Sequence, residues 1–286
     1  MSFAGSQAVV FGLAASALWG AADFSGGLAT KRAAPAFVVT IAHALSLAVL
    51  LGIDVVRHDS PPGHILLGLL AGASGSIGLM ALYAALSLGS MGLVAAICAL
   101  VTASLPVLFS YLQEGRAGAT KLIGFAIAAL AIWLITYAPR DRAHPRGLGL
   151  AVLAGLGCGG ALVLLHLAAL QSVLWALTLM RVAGVVIAGA VGLALCLRSR
   201  ASPAKESFSW RSVLLLAALA GLFDTTGNLF YVFASFAGRL DVAAVLSSLY
   251  PAATMVLAAW LLKERATRSQ MAGMALALVA VMLISV

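Results

Sequence analysis

The sequence predicts an all-α membrane protein of ten transmembrane helices, arranged as two inverted five-helix repeats over residues 1–140 and 146–286. Three observations carry this. Of the 286 residues, 63% are apolar and only 9% charged, with a mean hydropathy of +1.10, whereas a soluble domain carries about 25% charged residues. The apolar residues fall in runs of about twenty, the length that crosses the hydrocarbon core of a bilayer. And residues in the first half recur in order in the second.

Cutting the chain at charged and Pro-rich punctuation gives helices over 7–29, 35–56, 64–87, 90–112, 119–138, 147–169, 172–197, 211–236, 240–262 and 268–286. The first run lacks the basic start and small-residue cleavage site of a secretory signal and leads straight into further spans, so it reads as a retained helix. No run shows the apolar alternation of a barrel strand, and helices satisfy their own backbone groups in lipid. The longest connection, Arg198 to Ser209, is too short for a soluble domain. Cys98, Cys158 and Cys196 each sit inside an apolar run without paired or metal-ligand spacing, which makes them packing residues. The net charge of +8 is spread in short clusters between runs. That arrangement suits lipid headgroups and excludes a nucleic-acid-binding face.

The repeat is explicit in residues. Tyr83, Ser87, Val94, Ala95 and Ala96 recur as Tyr231, Ser235, Val242, Ala243 and Ala244, a shift of 148. Thr40 and His43 match Thr178 and Arg181 at 138, Gly20 matches Gly157 at 137, and Glu114 matches Glu264 at 150. Gly124 and Gly273 open the helix that follows each glutamate. With five helices per half, the second copy runs through the membrane upside down. An inverted repeat gives two mirror-related conformations around a midplane site, the architecture of alternating access.

Leu18-Trp19-Gly20, Ser247-Ser248-Leu249-Tyr250-Pro251 and Lys263-Glu264-Arg265-Ala266-Thr267, followed by Gln270 and Gly273, resemble EamA-type members of the drug/metabolite transporter superfamily. The resemblance covers the whole chain in two EamA-like halves. It implies a ten-helix transporter, commonly an exporter of amino acids, metabolites or toxic compounds. The first half departs from the pattern, because Glu114 is followed by Gly115 rather than a basic residue and its spacing to Gly124 is one longer than that of Glu264 to Gly273.

An ionisable residue inside a span costs about 2.5–3.5 kcal/mol on insertion scales, so it faces the bundle interior and takes a partner. Asp224, Asn228, Tyr231 and Ser235 share one helical face. Their repeat counterparts, Ser76, Met80, Tyr83 and Ser87, keep the aromatic and hydroxyl but lose the acid and amide. Arg181 and its mate His43 lie about nine residues into their helices, too deep to snorkel. Asp224 and Arg181 are expected to pair directly or to share a bound solute or water. Asp23, one turn beyond Trp19, reads as an interfacial acid near Lys31 and Arg32, and His166 as a helix-end residue. The substrate or coupling candidates are therefore Asp224, Asn228, Tyr231, Arg181, His43, Tyr83, Trp19 and Asp23. Of the acids, Asp23 and Asp224 are expected to be the two buried enough to carry a proton. Pro106 and Pro251 lie in the fourth and ninth helices, equivalent by the repeat, and are the hinge candidates. Gly68, Gly72, Gly75 and Gly78 allow the third helix a close neighbour.

The chain has no P-loop, no metal-spaced cluster and no nucleophile elbow. No cofactor is therefore expected, and uphill transport must draw on an ion or proton gradient. The reading is a secondary active transporter, an exporter of a small metabolite, amino acid or drug-like solute, multi-pass in the cell's inner or plasma membrane. Its partners are that small molecule and membrane lipid. A lipid-acting intramembrane enzyme and a passive channel are the alternatives. Twelve basic residues follow odd-numbered helices, against Arg57, Arg116, Lys121 and Arg239 after even-numbered ones. Basic loops stay in the cytoplasm, so the count places both termini outside, whereas the resemblance implies both inside.

Overall fold

The computed structural model describes residues 3–57, 65–86, 91–136, 145–198, 210–261, 263 and 267–284. Ser87, Arg140, Arg142, Arg200, Lys205, Glu264, Arg265 and Ala266, all used above, lie outside the described residues. Among the described residues every regular element is a helix: α1 Phe3–Thr30, α2 Pro35–Arg57, α3 Ile65–Leu86, α4 Met91–Glu114, α5 Ala119–Thr136, α6 Pro145–Ala169, α7 Val173–Arg198, α8 Trp210–Ala237, α9 Leu240–Ser247, α10 Tyr250–Leu261 and α11 Arg268–Ile284. The protein is all-α.

Eight helical spans among the described residues are long and apolar enough to cross a membrane, α9 and α10 counting together as one. The two shorter apolar helices, Ala119–Ile135 and Arg268–Ile284, pack against each other. At 1.5 Å per residue each is about 26 Å long, a mismatch that local thinning of the bilayer absorbs. Large apolar side chains such as Val10, Leu66, Val186 and Leu278 are exposed around the bundle, where lipid tails would cover them.

The ninth expected helix is broken in two. Pro251 has no N–H for the Ser247 carbonyl. Around it the chain tightens to three-residue turns, with Leu249 N donating to Leu246 O at 3.3 Å and Ala252 N to Leu249 O at 2.9 Å. Pro106, in contrast, sits inside the unbroken α4. At the shift that relates Glu114 to Glu264, Pro106 aligns with Val256, five residues past Pro251. The prolines thus occupy equivalent helices but different positions.

Helix pairings follow a two-fold pattern. As α3 packs along α6, α8 packs along α1; as α4 meets α6, α9 and α10 meet α1; as α3 meets α7, α8 meets α2. α2 with α7, α4 with α9, and α5 with α11 pair across the axis. This exchange is compatible with an inverted repeat. The glycines of α3 divide their work: Gly68 and Gly72 lie against Leu179 and Met180 of α7, and Gly75 and Gly78 against Ala161 and Cys158 of α6. A Cβ on Gly157 would stand 2.7 Å from Gly78 Cα, so the α3–α6 approach needs glycine on both sides.

At the end of the bundle that carries both termini, Arg239 ties α9 to α4. Its Nε lies 3.2 Å from both Asp241 carboxylate oxygens, its Nη2 donates to Gly115 O at 2.8 Å, and Glu114 Oε2 is 3.6 Å from Nε. Its hydrogen bonds to the Asp241 carboxylate hold the guanidinium above its ordinary pKa. Gly115 takes φ +76° as it ends α4, the left-handed conformation that glycine adopts without strain. A basic residue there, as the family pattern has it, would be strained.

Candidate functional site

A cavity of about 90 Å³ opens between the helices. Trp19 and Asp23 reach it from α1, His43 from α2, Arg181 from α7, and Asp224 and Asn228 from α8. Ser76, Thr102, Cys158, Met180 and Tyr250 complete its walls. A smaller adjoining cavity of about 20 Å³ shares Asp23, His43 and Asp224 and adds Tyr83. Of the eight sequence candidates, seven therefore line these two spaces. Tyr231 does not: it is fully buried behind Trp19, ring centroids 5.8 Å apart.

The charges meet at the ion pair expected from the sequence. Arg181 Nη2 lies 2.7 Å from Asp224 Oδ2, with Arg181 1% and Asp224 28% exposed. Distance makes this an ion pair, but the angle does not make Nη2 a hydrogen-bond donor to it, and Nε has no partner either. Asn228 Nδ2 supports the same carboxylate oxygen at 3.3 Å. Trp19 Nε1 is a second buried donor without a partner. The wall thus presents guanidinium and indole N–H groups beside two carboxylates, enough to bind a solute that carries an anionic group and a polar or cationic one.

The repeat explains how the pair is placed. Arg181 and Asp224 are the counterparts of His43 and Ser76, and those two also meet, with His43 Nδ1 3.4 Å from Ser76 Oγ. One scaffold position holds an ion pair and its mate a neutral hydrogen bond. Gly184 makes room for the His43 ring, since a Cβ there would lie 2.8 Å from its Cε1 and 2.9 Å from Ser76 Oγ. Gly227 does the same for Trp19, where a Cβ would lie 2.5 Å from Cδ1. Tyr250, beside the break after α9, stands edge-on to Trp19 at 6.5 Å. Pro106 frees the carbonyl of Thr102, itself a wall residue.

Two expectations need correction. Asp23 is not an interfacial acid but part of the cavity wall, because α1 continues about two turns beyond it to Thr30. Asp23 and Asp224 are also not the most buried acids: Asp54 is 6% and Asp241 2% exposed. Asp54 accepts from Thr178 Oγ1 at 2.7 Å across the α2–α7 interface. Its position near the end of α2 hides that partner from any local reading, since the two are 124 residues apart. His166 is half-buried and bonds Ser235 Oγ at 2.9 Å, away from the cavity. No group of three His, Cys, Asp or Glu able to hold a metal occurs among the described residues.

Residues 145–286 match the model of the EamA-like transporter family. An uncharacterized protein of Methanocaldococcus jannaschii is 28% identical over 101 residues, 35% of this chain and 74% of that one. A crystal structure described only as that of a protein superposes with a TM-score of 0.76 at 17% identity, covering 97% of this chain and 96% of its own. At that identity it shows the shared fold alone.

Proposed function

Because this chain belongs to the EamA-like transporter family, we propose that it carries a small solute bearing a carboxylate or similar anionic group through the Arg181–Asp224 cavity by alternating access. Membership makes it a multi-pass membrane protein with a transporter's role; solute, direction and energy source are our reading. One observation carries the solute class. Arg181 is almost wholly buried, yet its Nε has no partner while it lines the cavity. Leaving such a donor unsatisfied is costly, and a bound anion would satisfy it together with Trp19 Nε1. Asp23 and Asp224 would receive a cationic or hydroxyl group on the same solute, so amino acids and comparable zwitterions fit best.

The cavity of about 90 Å³ is narrow for such a solute. Trp19, Met180 and Tyr250 therefore move on binding, and the break at Ser248 and Leu249 lets α9 and α10 tilt independently. Pro251, and less directly Pro106, serve as hinge residues on this reading. Export across the inner or plasma membrane, driven by an ion or proton gradient, completes it. A lipid-acting enzyme would need a nucleophile or acid–base group at one membrane face, and a channel a ring of like charge; the mixed-sign cavity suits neither.

The test is a thermal-shift screen of the purified protein against amino acids, nucleosides, sugars and cationic drugs. Zwitterionic and anionic solutes should stabilise the parent, and Arg181→Gln should abolish the shift. A best ligand that is purely cationic, or a shift that survives Arg181→Gln, overturns the reading.

A further inference from the structure

The two cavities do not lie evenly across the bundle. Away from the termini they reach Val38 in the first turn of α2 and Tyr83 in the last turn of α3. Toward the termini their lining stops at Gly72, Leu162 and Met180, each about two turns short of its helix end. The helix that spans this remaining depth, from Arg239 up to the break before Tyr250, is α9. All eight of its residues are buried, and it packs against α1, α4 and α8, with Ser247 Oγ donating to Gly12 O at 3.4 Å. It plugs the termini-bearing end.

The outer end of this plug is held by charges. Arg239 Nη2 donates to Asp241 Oδ2 at 2.9 Å and to Gly115 O at 2.8 Å, and Ser110 Oγ of α4 lies 3.5 Å from it. Glu114 Oε1 accepts from Leu240 N at 3.5 Å. Arg239 and Asp241 stand two residues apart and move together, so only the contacts to Ser110, Glu114 and Gly115 join one half of the protein to the other. Those contacts are near water, with the Arg239 and Glu114 side chains 25% and 37% exposed. Ion pairs so exposed add little net stability. If α9 swings away, Arg239 keeps Asp241 and Glu114 meets water, so no charge is stranded. The repeat supplies this device at one end alone: at the shift that relates Val94 to Val242, Arg239 and Asp241 correspond to Met91 and Leu93.

We propose that Arg239, seated on Asp241 and bound to Glu114 and the Gly115 carbonyl, is the latch that holds α9 shut over the termini-bearing end. That end opens to the Arg181–Asp224 cavity only when the latch parts and α9 tilts about the break. The inference rests on the alternating-access reading above. With the latch closed the cavity faces away from the termini, and because the far end has no charged pair of its own, this conformation is the favoured one without solute.

The test uses thiols already in the chain. Cys98 and Cys158 line the cavity, and Cys196→Ala removes the third, exposed cysteine. In reconstituted vesicles of known orientation, a small membrane-impermeant methanethiosulfonate applied to one face at a time reads which end admits it. The parent should label from the face away from the termini and be protected from the other. Arg239→Gln should raise the rate from the termini face at least about fivefold, the population shift that losing one exposed ion-pair network produces, and lower it from the far face. Glu114→Gln, which leaves Arg239 on Asp241 and Gly115, should shift both rates the same way by less and keeps the test decisive if Arg239→Gln does not fold. A parent labelled equally from both faces, or a termini-face rate that neither substitution raises, overturns the latch. So does a rise on both faces together, which marks general loosening. No solute enters this measurement, so failure of the solute reading would show separately, in the Arg181 screen.

Discussion

Neutralising Asp224 should cost the protein more than neutralising Arg181, although the two form one ion pair. Their charges, centred roughly 4 Å apart, attract by about 4 kcal/mol at an effective dielectric constant of 20. What differs is the group left behind. Asp224→Asn strands a guanidinium that is 1% exposed and whose Nε already lacks a partner. Breaking a buried pair in this way costs about 3–5 kcal/mol. Arg181→Gln leaves a carboxylate that is 28% exposed and keeps the Asn228 donor at 3.3 Å. Cavity water can solvate it, so the cost falls to about 1–2 kcal/mol. The double substitution should lie nearer Arg181→Gln than the sum of the two. Unfolding equilibria in mixed micelles, read for the four members of the cycle, measure these differences. Equal costs, or a larger cost for Arg181→Gln, would show that Arg181 reaches water or another partner and would remove the basis for an unsatisfied donor in the cavity.

Gly227→Ala places a methyl 2.5 Å from Trp19 Cδ1 and should drive the indole into the cavity; overpacking of about 1–3 kcal/mol partly offset by helix propensity predicts a folded protein whose solute-dependent thermal shift is lost. Arg239→Gln frees Asp241 and uncaps α4 at once, so hydrogen exchange in the first turn of α9 should accelerate at least about fivefold, as a loss of about 1–3 kcal/mol implies. Pro251→Ala should rejoin α9 and α10 and slow solute exchange more than Pro106→Ala, which alters an unbroken helix; equal rates in both single variants would exclude the break as a hinge. A C-terminal reporter that fluoresces only in the cytoplasm should stay dark, as the basic-residue count requires, and a bright fusion would favour the family's orientation.

Which parts of the site were legible follows from what the bilayer penalises. His43, Arg181 and Asp224 stand deep in apolar runs, where lipid would be costly for them, and so had to point inward. The structure gathers them at one cavity with Trp19 and Asn228. Tyr231 shares the helical face of Asp224, but a face of a helix is wider than a cavity mouth, and Trp19 takes the space before it. Asp54 was passed over because depth in a run says nothing of what packs outside it: near a helix end an acid can meet water or, as here, a threonine from a helix in the other half. Cys158, Thr102 and Tyr250 are wall residues by long-range packing alone. The break after α9 was announced by Pro251, yet Pro106 carries the same signal in an unbroken helix, so proline marked the pair of helices without marking the break.

Two departures from symmetry share α7: the Arg181–Asp224 pair joins it to α8, and Thr178 joins it to Asp54 of α2. Where the scaffold repeats itself, α2 and α7 pack face to face with His43 opposite Arg181. The neutral pair His43–Ser76 and the charged pair Arg181–Asp224 are the two versions of one contact, so on the alternating-access reading a rocking of one half against the other would move both at once. Asp54, with Gly192 as its mate, adds an acid to one end only. A two-fold scaffold by itself has equivalent conformations facing either side and gives no preference for a direction. On the alternating-access reading, an ion pair at one copy of the central contact and an acid at one end of the α2–α7 interface would make the two conformations unequal in charge. A bound anion would then shift their balance by its differential affinity for the two.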